Sequence, residues 1–470
     1  MKPSTLPFLG LLWLPLTSSY CPPTGSVLPP PKVPSDGNFT DSLAESLEDF
    51  VQSSRSWNAS TNSFSVKVTS KEETLAGFYY TACSLNKTGV GKVASSSIYR
   101  VVSVTRVFTV LALLLQTNLK LYDPASKYVP ELAKIDHYKD ITLRVLASQC
   151  GDVRREGGKS CSAPSPPYSN SGFIVPGFVL EKAASMEFKD IMYDKIFNPL
   201  DLSLATDFKL QDPTARLYTT PEDLAKFVRS ILRHGFLSVP RTDLWFKPTS
   251  FLSTAQGAVR MPWKTYRISD LTPSPRPVDV HSQAGNGVQY AAYIVIIPEY
   301  NFRIMAHVAG PGIYAVRRVL PSLMVQEVVR YFENPTREQA HGKYTAQYTN
   351  DKGSLVLCFY QGPGINIKEY IGQGKSVPKA WAAISGNNDP NVDARVCLVG
   401  ENERRRVLFE FITSERSLAD IYKDCCVNWF SVDQFRCQGS PMDEIDFVTE
   451  DGVIKSLRGS GLRQGLPKIP

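Results

Sequence analysis

Ile98-Tyr99-Arg100-Val101-Val102-Ser103-Val104-Thr105-Arg106-Val107-Phe108-Thr109-Val110-Leu111-Ala112-Leu113-Leu114-Leu115 begins as a strand-like apolar run and continues as a helix-like one. The expected strand ends at Val102, the expected helix covers Val107 to Leu115, and Ser103 stands at the junction. A serine so placed, with a basic residue one turn later, is how one class of acyl-transfer enzymes presents its nucleophile. The i, i+3 spacing of Ser103 and Arg106 puts both side chains on one helix face. Those enzymes carry lysine in the basic position, and a desolvated lysine can shed its proton and act as a base. Arginine stays charged at any working pH. The segment thus offers a nucleophile beside a fixed cation.

Two further stretches supply partners. Tyr168-Ser169-Asn170 follows the loop Ser162 to Pro167. In an extended segment, residues i and i+2 point the same way, so the Tyr168 phenol and the Asn170 amide face one cleft. Ser282-Gln283-Ala284-Gly285 precedes the strand-like Tyr290 run. Gly285 lets backbone approach a substrate closely, and N–H groups along such a strand edge can hold an oxyanion.

Outward from these sites, alternation predicts strands at Phe64 to Thr69, Leu75 to Cys83, Tyr290 to Ile297 and Arg303 to Val308. Helical periodicity marks Asp41 to Ser53, Leu143 to Ala147, Gly172 to Ser185, Phe188 to Ile196, Glu222 to Leu232 and Pro321 to Tyr331. Strands at both ends of a segment with a helical middle predict an α+β domain, an antiparallel sheet flanked by helices plus a helical lobe. From about Thr336 the character changes to short strands, at Leu355 to Tyr360, Ile365 to Tyr370, Arg395 to Val399 and Val407 to Ile412. The expected organisation is a signal peptide over 1–20, a first domain over 21–335 and a smaller all-β domain over 336–470, joined near Asn334-Pro335.

Composition agrees with a globular protein, at 43% hydrophobic and 21% charged residues. The net charge of +7 is scattered, and the one basic run, Arg404-Arg405-Arg406, sits beside Glu401 and Glu403. With no basic stripe or stacking aromatic motif, nucleic-acid binding is not expected. Lys2, the apolar stretch Leu6 to Leu16 and Thr17-Ser18-Ser19 have the layout of a secretory signal, too short to span a bilayer. Sequons at Asn38, Asn58 and Asn86 fit a secreted or lumenal glycoprotein. In that compartment the nine cysteines are disulfide candidates. Cys21–Cys83 and Cys150–Cys161 are the expected bridges, although spacing leaves the connectivity open. Without a C-x-x-C pair, no metal site and no cofactor are expected. The oligomeric state is not legible.

Read in order, "YRVVSVTRVFTVLALLLQ", "DITLRVLASQ", "PPYSNSGFIVPGFVLEKAAS", "KIFNPLDL", "TTPEDLAKFVRSIL" and "GVQYAAYIVIIPEYNF" carry a family likeness over the whole mature chain. The chain resembles the serine β-lactamase-like proteins related to class C β-lactamases and penicillin-recognising esterases. In particular it is similar to the secreted fungal members with an extra C-terminal domain, which would hold "CVNWFSVDQFRCQGSPMDEIDFVTEDG". The resemblance implies that Ser103 is the nucleophile, that Tyr168 moves the proton, and that Asn170 orients the substrate. It also implies an oxyanion held between the Ser103 N–H and a strand N–H near Asn286 to Gln289. Two departures stand out: Arg106 replaces the lysine of S-x-x-K, and Gln283 replaces the lysine or histidine of the K/H-x-G triad. Ala147-Ser148-Gln149 also replaces a loop that usually bears histidine. The implied activity is serine hydrolysis or acyl transfer on an ester, lactone or amide of a small molecule, in secondary-metabolite biosynthesis. The alternative is a degenerate site that binds a small molecule or catalyses a non-hydrolytic step such as cyclisation or isomerisation.

Overall fold

The computed structural model describes residues 26–33, 38–53, 57–86, 89–135, 139–150, 170–202, 213–254, 256–274, 276–360, 362–386, 391–398, 404–411 and 432–469. The chain divides into two units, 29–339 and 340–470, the second joined by the N-terminal segment up to Leu28.

In the first unit the strands are β1 (Ser63–Thr69), β2 (Thr74–Tyr80), β3 (Tyr99–Arg100), β4 (Tyr218–Thr219), β5 (Ser250–Phe251), β6 (Gly257–Val259), β7 (Lys264–Ile268), β8 (Val278–Asn286), β9 (Tyr290–Ile297) and β10 (Phe302–Ala309). Eight of them form one antiparallel sheet in the order β2-β1-β10-β9-β8-β7-β6-β5, while β3 and β4 pair separately. The helices are α1 (Asn38–Gln52), α2 (Thr105–Leu115), α3 (Leu143–Ala147), α4 (Ile174–Ala184), α5 (Phe188–Met192), α6 (Pro221–Leu232), α7 (Val239–Trp245) and α8 (Tyr314–Tyr344).

Strand β9 shows why the sheet is covered on both sides. Its residues alternate between two cores: Ala292, Ile294 and Ile296 join the helical lobe, and Ala291, Tyr293, Val295 and Ile297 join the layer of α1 and α8. A strand buried on both faces has no polar side to present, hence the unbroken YAAYIVII. The lobe centres on α2, whose residues from Thr105 to Leu114 are all buried, as expected for a helix apolar all round. Phe108 stacks on Phe227 of α6 with ring centroids 3.8 Å apart. Helix α6 starts where its sequence says it should: the Thr220 hydroxyl accepts the Asp223 N–H at 3.0 Å, and Pro221 follows the cap.

The expected α+β architecture with a helical lobe is present. The helix expected over Pro321 to Tyr331 is longer than its periodicity predicts, since α8 runs on through Asn334-Pro335. A mid-helix proline costs a backbone hydrogen bond, but α8 buries Phe332 before it and Ala340 and Tyr344 after it. Burial outweighs the break.

The second unit is an eight-stranded antiparallel barrel made of Ala346–Asn350, Gly353–Cys358, Ile365–Gly372, Val392–Leu398, Arg404–Phe411, Glu444–Glu450, Val453–Gly459 and Gln464–Ile469. Each strand pairs with the next, and the last pairs with the first through Gln347 opposite Ile469. A closed barrel removes every sheet edge. Its interior is filled by side chains including Tyr348, Tyr370, Trp381 and Phe447, with Val27 and Leu28 from the proline-rich lead-in packed among them. Helix α9 (Val377–Ile384) accompanies the strands.

Asn38, Asn58 and Asn86 are all exposed. Cys83, Cys150, Cys358, Cys397 and Cys437 are free thiols, and Cys21 and Cys161, the expected partners of the first two, lie outside the described residues. Among the described residues no helix is long and apolar enough to cross a membrane.

Candidate active site

Ser103 sits on a single 3₁₀ turn, Val102–Val104, between β3 and α2, and is 5% exposed. The preceding Val102 has φ of 47°, a left-handed conformation that a β-branched residue adopts only when its surroundings over-determine it. The surroundings do so. The Val101 N–H donates to the Leu217 carbonyl at 2.9 Å. The Thr105 hydroxyl donates to the Val102 carbonyl at 2.6 Å and accepts the Leu217 N–H at 3.2 Å. A turn clasped on two sides and continued by a buried helix cannot relax its strain.

The other wall is the end of β8. Strand β7 begins at Lys264 opposite Ser282, so Gln283 to Asn286 are paired only with β9 and leave an open edge. That edge meets the serine turn. A Cβ on Gly285 would stand 2.0 Å from the Val101 carbonyl oxygen and 2.9 Å from the Ser103 nitrogen, so only glycine fits. The Gln283 amide donates from Nε2 to the Ser103 carbonyl at 2.9 Å and to the Ala284 carbonyl at 3.3 Å. The Gly287 N–H is spent on the Tyr290 carbonyl at 2.8 Å. Strand alternation then turns the Asn286 N–H to the open side.

Arg106 is fully buried in the first turn of α2. Its Nη2 donates to the Asn170 Oδ1, and its guanidinium carbon lies 4.6 Å from the centroid of the Phe173 ring. The Phe173 N–H donates to the Asn170 carbonyl at 3.1 Å, which ties the amide to the turn that opens α4. Behind the serine turn, the rings of Tyr99 and His307 lie 5.0 Å apart. Burial pushes the Tyr99 phenol up to about 12 and His307 down to about 3, so both are neutral scaffolding at ordinary pH.

Of the residues singled out from sequence, Ser103, Gln283 and Gly285 converge on one corner, and Arg106 meets Asn170 beside it. Tyr168 lies outside the described residues. Gln149, in the loop expected to bear histidine, donates from Nε2 to the Pro262 carbonyl at 2.8 Å and serves as a brace. Sequence reasoning did not find the strained Val102, the Leu217 clasp or the strand identity of Val278–Asn286. Thr105, in the first helical turn, was the one visible signal for the clasp. Among the described residues no group of three or more histidine, cysteine or acidic side chains is arranged to hold a metal ion.

The β-lactamase family model matches residues 63–324, more than half of the chain, and residues 336–469 match the model described as "Beta-lactamase-like-like, C-terminal domain". The chain belongs to the β-lactamase family, a family of hydrolases. A β-lactamase-like protein of Arthroderma benhamiae is 23% identical, with 95% of each chain covered. A protein named probable hydrolase M10, from a Phoma species, is 22% identical over 95% of this chain and 91% of its own. Probable hydrolase clz13 of Cochliobolus lunatus is 20% identical over 77% of this chain and 75% of its own. Among solved structures, a class C β-lactamase from Rhodobacter sphaeroides is similar at 15% identity, with 64% of this chain and 99% of that one covered and a TM-score of 0.48. The D-alanine carboxypeptidase AmpC from Burkholderia cenocepacia is similar at 17% identity, 62% and 98% coverage and a TM-score of 0.47.

Proposed function

We propose that this protein is a secreted, glycosylated serine hydrolase or acyltransferase that acts on an ester, lactone or amide of a small secondary metabolite. The observation that carries the reading is the Ser103 corner: a strained nucleophile turn held against a glycine that leaves room for nothing else. Ser103 Oγ attacks the substrate carbonyl carbon, and its proton passes to Tyr168 acting as phenolate. The fixed charge of Arg106 favours that phenolate and holds Asn170, which orients the substrate. The tetrahedral oxyanion receives the N–H groups of Ser103 and Asn286. Collapse expels the alkoxide or amine, which recovers the proton from Tyr168, and water or a second alcohol then attacks the acyl-serine. The names of the two fungal relatives called probable hydrolases support this class of reaction.

One observation favours a second reading. Both positions that hold bases in S-x-x-K and K/H-x-G enzymes are occupied here by groups engaged in hydrogen bonds, Arg106 to Asn170 and Gln283 to the Ser103 carbonyl. Such a cleft suits a non-hydrolytic step, with Arg106 and Tyr168 as cation and donor. Labelling with a fluorophosphonate and turnover of p-nitrophenyl acetate, compared among wild type, Ser103→Ala and Arg106→Lys, separate the two. The hydrolase labels at Ser103 and loses label and turnover in Ser103→Ala. A wild type that neither labels nor turns over, while Arg106→Lys gains both, overturns it.

A further inference from the structure

On the face of β8 that carries Gln283, His281 lies one alternation back and borders a separate cavity of about 610 Å³. Its walls come from α7, the turn after α6, and strands β5 to β8; none of Ser103, Arg106, Asn170 or Gln283 lines it. The volume is that of a small-molecule site.

Arg260 stands in its wall, 3% exposed. The Arg260 backbone is anchored by its N–H, which donates to the Trp263 carbonyl at 2.7 Å. Its side chain makes no hydrogen bond and no ion pair among the described residues, and Nε is fully enclosed. Burial brings its pKa down to about 10, against the pull of Asp279, which leaves it charged at neutral pH. A buried cation without a partner is unfavourable unless something answers it. The neighbours do not. Asp279 is taken by Arg267 at 3.1 Å, and Lys247 and Asp243 on the exposed rim are opposite in sign. His281, driven down to about 3 by burial and by Arg260, is neutral, with Nδ1 3.2 Å from the Thr265 hydroxyl. Arg260 is the surplus charge. Apolar side chains make up much of the remaining wall, which His234 and Thr242 also line: Phe246 stacks on His281 with centroids 5.2 Å apart, Ile296 lies beside them, and Phe251 is exposed at the mouth.

We propose that this cavity binds a small carboxylate with an apolar body, held by Arg260 and distinct from the serine site. One surplus cation matches one negative charge, and the guanidinium fork matches the two carboxylate oxygens. A phosphate dianion would leave charge unanswered among aromatic walls.

Isothermal titration of the full chain with benzoate, benzamide and inorganic phosphate tests this, using wild type, Ser103→Ala, Arg260→Gln and Phe251→Asp. Benzoate binds wild type and Ser103→Ala alike, and benzamide and phosphate bind at least tenfold more weakly. Arg260→Gln loses at least tenfold in benzoate affinity, and Phe251→Asp, which changes only an exposed rim residue, loses severalfold. The proposal is overturned if wild type does not bind benzoate, if Arg260→Gln binds it as tightly as wild type, or if phosphate binds more tightly than benzoate. Loss of benzoate binding in Ser103→Ala also overturns it, because the ligand would then occupy the serine site. Should Arg260→Gln not fold, unchanged benzoate affinity in Phe251→Asp overturns it instead.

Discussion

Two of the arginines buried on the lobe side of the sheet differ in what answers their charge. Arg106, in the first turn of α2, reaches Asn170 and lies over the Phe173 ring. Arg260, in the tight turn after β6, lines the cavity with no hydrogen bond or ion pair from its side chain among the described residues. Both carry the same group out of water, and among the described residues Arg106 has a hydrogen-bond partner where the Arg260 side chain has none. A buried cation held by a partner braces the architecture around it. An unsatisfied one keeps its interaction capacity for a ligand, and the fold bears the cost until that ligand arrives.

The serine corner beside Arg106 is where intolerance is greatest. Gly285→Ala puts a methyl into the Val101 carbonyl and forces β8 away from the serine turn. Ester turnover is expected to fall by at least about 10²-fold, since displacements near 1 Å cost that much. Steady-state kinetics beside a circular dichroism spectrum check it, and an alanine variant with wild-type turnover means that this edge does not shape the site. The arginines themselves are next. Arg106→Met loses a charge-assisted hydrogen bond and is expected to destabilise the fold by about 1.5–3 kcal/mol. Arg260→Met replaces an unanswered charge with an apolar chain of similar length and is expected to leave Tm unchanged or raise it. Equal losses in thermal unfolding would erase the contrast.

The remaining prediction concerns pH. His281 beside Arg260 and His307 behind the serine turn are both held near 3, mainly by burial. Unfolded histidine titrates near 6.5. Between about pH 6.5 and 3 the unfolded chain therefore binds more protons than the native one, and stability falls as pH is lowered. Each histidine contributes up to about 1.4 kcal/mol per pH unit in that window. Urea unfolding of wild type and His307→Phe at several pH values measures it, and the variant's profile should be shallower by about one proton. Parallel profiles would mean that His307 does not titrate on unfolding.

Strand β9 and helix α6 were readable from local pattern because local pattern is what forms them. Tyr290–Ile297 is apolar at every position, and Thr220-Pro221-Glu222 is a helix start in any context. Strand β8 was not readable as a strand. Its lobe-facing residues, Asp279, His281 and Gln283, are polar, and His281 is buried against the Arg260 cavity and Gln283 against the serine turn rather than in a core. In the barrel, four strands were anticipated and four were not. Glu444–Glu450 shows the reason: its fully buried residues are Ile445 and Phe447 alone, and a half-buried strand of mixed polarity resembles a loop. Pro335 misled in the other direction, since its local cost was outweighed by burial along α8.

For the site, the identities of Ser103, Arg106, Gln283 and Gly285 and their order along the chain were present in the sequence. Their meeting was not. The hydrogen bond from Gln283 to the Ser103 carbonyl spans 180 residues, and the clasp on Val101 comes from Leu217. No periodicity of 2 or 3.6 residues reports such pairings, because they depend on which elements the packed core brings side by side. The isolation of Arg260 is further still from the sequence: a residue type states what a side chain can bond, and only the folded surroundings decide whether anything is there.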